Sequence, residues 1–110
     1  MPLLKRARIE VYLPERRKAG YRRLQRAVEN EFVATFGGCT VITNIKGRYL
    51  GADGKPDFDK IDLVYADTPF DFDKNFRALS KYTDDLRTTL WEVTDEESIL
   101  IVVHGIYHSI

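Results

Sequence analysis

The chain has 110 residues, of which 44% are hydrophobic and 31% charged, the composition of one globular domain rather than of a disordered or collagen-like chain. Lys and Arg balance Asp and Glu at 17 each, so no net positive field exists to steer a polyanion. The single cysteine, Cys39, excludes an internal disulfide scaffold.

The start, Met1-Pro2-Leu3-Leu4-Lys5-Arg6, lacks the apolar stretch of a secretion signal. The longest purely apolar run, Ile99 to Val103, is five residues and too short for a bilayer. A soluble, cytoplasmic protein is expected, with no membrane partner. Charge is nevertheless uneven. Residues 1–30 carry nine Lys/Arg against three acids, and the rest carry eight against fourteen. Such a split fits a basic helix lying beside an acidic one, or subunits meeting one another, as well as a nucleic-acid surface.

In chain order, Arg8 to Leu13 alternates strictly, with Ile9, Val11 and Leu13 on one side, the pattern of a half-buried strand. From Glu15 to about Phe36 the period lengthens. Tyr21, Leu24, Val28 and Phe32, with Ala27 beside them, form a helical stripe. Gly37-Gly38 ends that helix, because glycine accepts the left-handed conformation of a C-cap. Cys39 to Leu50 is rich in β-branched residues, and Gly47 within it suggests a bulge. Asp53-Gly54 marks a tight turn, and Asp59 to Ala66 is the returning strand. Asp71 or Asp73 can cap a second helix, along which Phe76, Leu79, Thr83, Leu86, Leu90 and Val93 trace a stripe. Ser98 to His108 closes the chain as a strand.

The order strand, helix, strand, strand, helix, strand predicts a single α+β domain over residues 1–110. Its expected form is a ferredoxin-like βαββαβ sandwich, with a four-stranded antiparallel sheet and both helices on one face. In the last strand both parities begin apolar, Ile99, Ile101 and Val103 on one side and Leu100, Val102 and Ile106 on the other. A strand apolar on both faces is buried on both. The open sheet face, or the edge beside it, is therefore expected to pack against a second copy as a homodimer.

His104 and His108 share one side of this strand, but four residues span about 13 Å, too far for one zinc ion. No metal or other cofactor is expected. Asp53, Asp57, Asp59 and Asp62 fail the EF-hand spacing. Asp62 stands apart as a strand-interior carboxylate that needs a partner, with Lys46, Arg48 and His104 the candidates. Cys39 follows a helix C-terminus, which disfavours a thiolate, and is a packing residue. No dinucleotide, P-loop, nucleophile-elbow or zinc-protease motif occurs. RNA-recognition modules share the topology, but here the third strand carries acids, and the basic residues Arg16, Arg17, Lys18, Arg22, Arg23 and Arg26 belong to the first helix. Nucleic-acid binding in that mode is not expected.

The stretch Phe36-Gly37-Gly38-Cys39-Thr40-Val41-Ile42-Thr43-Asn44, with Lys46-Gly47-Arg48-Tyr49, Asp53-Gly54-Lys55 and Asp59-Lys60-Ile61-Asp62, resembles an uncharacterised family of small bacterial ferredoxin-like α/β proteins. The resemblance covers about a quarter of the chain and implies the fold and dimerisation, with no activity attached.

Three readings follow. The first is a dimeric small-ligand-binding or interaction module, in which Thr40, Lys46, Arg48 and Tyr49 line a pocket for a small anion and Asp62 with His104 orient it. The second is a cofactor-free enzyme of dimeric α/β-barrel type, with His104 as base and Tyr49 or Asp62 as acid or orienting group. The third is non-specific nucleic-acid association through the basic first helix, marked by steep salt dependence.

Overall fold

Alternation in the first segment becomes burial. In the computed structural model, which describes residues 3–14, 20–94 and 99–109, strand β1 (Leu4–Pro14) buries Ala7, Ile9, Val11 and Leu13 completely. Between them Arg6, Arg8, Glu10 and Tyr12 stay partly exposed on the other face.

Helix α1 (Tyr21–Phe36) brings Leu24, Val28 and Phe32 into the core, packing against the third strand and the second helix. The part of the helix expected before Gly20, including Arg16, Arg17 and Lys18, lies outside the described residues. Gly37 ends α1 at φ 86°, and its N–H donates to the Val33 carbonyl, the left-handed C-cap that glycine permits.

Strands β2 (Thr40–Leu50) and β3 (Pro56–Asp67) form a hairpin, followed by helix α2 (Phe76–Thr94) and strand β4 (Leu100–His108). The Asp71 carboxylate accepts from the backbone N–H groups of Asp73 and Lys74, fixing the turn that leads into α2. Leu79, Leu86 and Leu90 of α2 are buried as expected, whereas Phe76, placed in the same stripe, is 61% exposed at the first turn.

The sheet order is β2-β3-β1-β4, with every neighbouring pair antiparallel. Each helix thus links two strands that flank a third, the split βαβ arrangement of a ferredoxin-like fold. The core joins alternate residues of β1 and β3 to α1 and α2.

The irregularity in β2 is displaced from its expected place. Pairing steps from Ile42↔Leu63 to Ile45↔Ile61, so β2 carries one extra residue there, and Asn44 adopts φ 61°. Asparagine tolerates this left-handed conformation. Gly47 instead pairs regularly with Asp59.

Among the described residues the pairing of β1 with β3 runs to Pro14↔Ile61. Beyond that point the described residues of the hairpin continue as a two-stranded arm closed by the Asp53-Gly54 turn, where Gly54 takes φ 80° and Asp53 accepts from the Lys55 N–H.

Candidate functional site

The sheet separates the residues that the sequence suggested as one site. Asp62 pairs in register with Leu13, whose face is the one covered by the helices. It is 6% exposed. Its carboxylate accepts from the Tyr21 hydroxyl at 2.5 Å and from the Asn44 backbone N–H at 3.3 Å. The expected donors Lys46 and His104 are not used; a helix hydroxyl and the bulge amide meet the need of this buried group.

His104 lies on the opposite, open face, in register with Arg8. Its Nε2 is buried and sits 3.1 Å from Glu10 Oε1. The contact is within ion-pair distance but off the line of a hydrogen bond. Glu10 also accepts from the Tyr12 hydroxyl at 3.3 Å. Beside it Arg8 grips Asp67 through two nitrogens, at 2.6 and 3.1 Å, and lies 4.2 Å from the centre of the Tyr65 ring. A bidentate pair backed by a cation–π contact holds its geometry well. Arg8, Glu10, Tyr65 and Asp67 were missed as site residues. The signal was the polar parity of β1, half of a pattern of which only the apolar half pointed to structure.

The proposed dyad of His104 with Asp62 is therefore not assembled. Among the described residues, one cavity of about 390 Å³ lies between α1 and α2 and another of about 170 Å³ between α2 and β4. Neither of these is lined by His104 or Asp62. In the first, burial and then the hydrogen bond to Glu31 push the Tyr82 hydroxyl far above its ordinary pKa. Burial, followed by the charge of Glu29, also raises the Cys39 thiol, as befits a packing residue.

The anion-binding candidates divide differently. Lys46 stands directly across from Lys60 on the arm, with Arg48 two positions further along the same face, and all three are exposed. Among the described residues neither lysine has an ion-pair partner. Thr40 is remote from them, paired with Tyr65 on the open face of the sheet. Tyr49 pairs with Asp57 in register, but both side chains lie outside the described set. Among the described residues no three His, Cys, Asp or Glu groups converge as a metal site, and no helix is long and apolar enough to cross a membrane.

No protein-family model matches the chain, and no curated protein matches it. Solved structures with the same fold do exist. CutA1 from Oryza sativa superposes with a TM-score of 0.59 at 15% identity, covering 97% of this chain and 84% of that one. CPII, a nitrogen regulatory PII-like protein from Thiomonas intermedia K12 bound to ADP, AMP and bicarbonate, gives 0.51 at 17% identity over 99% and 100%. At such identities the likeness establishes the ferredoxin-like fold.

Proposed function

We propose that the chain is a self-associating module that binds a small anion on its β2–β3 arm. The observation that carries this reading is the direct cross-strand pairing of Lys46 with Lys60, with Arg48 beside them. Like charges facing each other across a ladder destabilise it, and an anion placed between them removes the repulsion. Two ammonium groups and a guanidinium suit phosphate or carboxylate oxygens. CPII, similar in fold and bound to ADP, AMP and bicarbonate, supports the same ligand class.

Self-association, as a homodimer, is supported by two further features. A two-stranded ribbon is marginally stable by itself, yet among the described residues those numbered 46–60 pair only with one another. The open face and the sheet edges also expose Ile42 at 43% and Leu100 at 55%. His104 lines neither of the two cavities described above, so they lend the reading of it as a catalytic base no support.

Calorimetric titration with ADP, AMP and bicarbonate tests the proposal. Binding to the unmodified protein, lost in a Lys46→Glu/Lys60→Glu variant of unchanged circular dichroism, is expected. Binding undiminished in that variant would remove the arm as the site, and absence of binding by all three would reject the ligand class.

A further inference from the structure

The two edges of the sheet are not alike. β2 is guarded by the bulge at Asn44 and by Lys46 and Arg48 along its length, devices that discourage pairing with another strand. β4 has none of them. Its nine residues, Leu-Ile-Val-Val-His-Gly-Ile-Tyr-His, contain no acid, no Lys or Arg and no proline. They run in unbroken register with β1 from Leu4↔His108 to Tyr12↔Leu100. As the last strand of the sheet, β4 directs alternate backbone N–H and C=O groups away from β1.

Both flanks of that edge are apolar. On the open face Leu100, Val102 and Ile106 are exposed or half-exposed. On the helix face the cavity of about 170 Å³ is lined by Phe72, Phe76, Leu79 and Val103 among others, with Phe76 at 61% and Tyr107 at 66% exposure. An unprotected edge with apolar ground on either side fits one kind of occupant: an extended, uncharged strand with apolar side chains on both faces. β4 itself meets that description.

We propose that β4 pairs antiparallel with β4 of a second copy about a two-fold axis, joining two four-stranded sheets into one. Such an isologous contact satisfies both edges at once and stops there, leaving the guarded β2 edges outermost. This names the interface of the self-association proposed above and rests on it.

The test combines light scattering with amide hydrogen exchange followed by NMR. The unmodified protein is expected to have twice the chain mass, with every β4 amide from Ile101 to Tyr107 protected. Val102→Lys and, separately, Ile106→Lys are expected to halve the mass and to release alternate β4 amides to fast exchange. If neither variant folds, exchange in the unmodified protein decides alone. An oligomer whose alternate β4 amides exchange fast overturns the β4 pairing while leaving self-association standing. An assembly of three or more also overturns it, since a two-fold strand pair closes at two. A monomer overturns both, and leaves the edge open to a strand of another protein.

Discussion

The Tyr21 hydroxyl donates to Asp62 Oδ2 across 2.5 Å, tying the first residue of α1 to the buried face of β3. A carboxylate that is 6% exposed must keep its donors, because a buried acceptor left short of them forfeits solvation it cannot recover. Tyr21→Phe is therefore expected to lower unfolding free energy by about 1–3 kcal/mol, measured by urea denaturation. A change within error would mean that the remaining donors suffice.

Tyr82 links stability to alkaline pH. Burial and its hydrogen bond to Glu31 raise its folded-state pKa above the ordinary value of 10.0. Below that value both states hold the proton and the contribution is complete. Above it the unfolded chain loses the proton first, so stability falls as pH rises towards the folded-state pKa. Melting temperatures between pH 8 and 11 should decline more steeply for the unmodified protein than for Tyr82→Phe. Parallel curves would remove Tyr82 as the cause.

Gly105 makes room for a neighbour. A Cβ there would lie 2.6 Å from Lys5 Cε, on a side chain that reaches Asp73 at 3.0 Å and lies over the Phe72 ring. The crowding falls on a flexible stem, and exposed ion pairs contribute about 0–1 kcal/mol. Gly105→Ala should thus cost less than about 1 kcal/mol, read from the urea midpoint. A larger loss would show that the backbone, and not Lys5, has to move.

Lys46→Glu separates stability from binding. Opposed to Lys60, it converts a repulsive cross-strand pair into an attractive one, a gain of about 0.2–1 kcal/mol. A higher melting temperature with weaker anion binding is expected. A lower one would show that the two lysines do not repel in the folded protein.

Element order, helix stripes and the C-cap were legible because each depends on local periodicity or on one permissive residue: Leu24, Val28 and Phe32 at helical spacing, Gly37 at the stop. The candidate site was not. In β3 the sets Ile61, Leu63, Tyr65 and Asp62, Val64, Ala66 are both largely apolar, so alternation alone could not say which faces the helices. β4 has the same ambiguity, and His104 with Asp62 accordingly fell on opposite sides. The donors to Asp62 come from a helix terminus and a bulge, neither of which strand periodicity encodes.

The extra residue at Asn44 reverses inside and outside along β2. Before it, Thr40 and Ile42 share the open face; after it, Ile45 takes that side, and Lys46 and Arg48 turn to the other. A straight strand would have turned both cations to the face that carries Arg8, Glu10 and His104, though still out on the arm. Deleting Thr43 would alter no charged residue, yet it would carry the basic strip to the opposite surface. The placement of charge on this arm is thus governed by chain length at one point as much as by the identity of the residues that bear it.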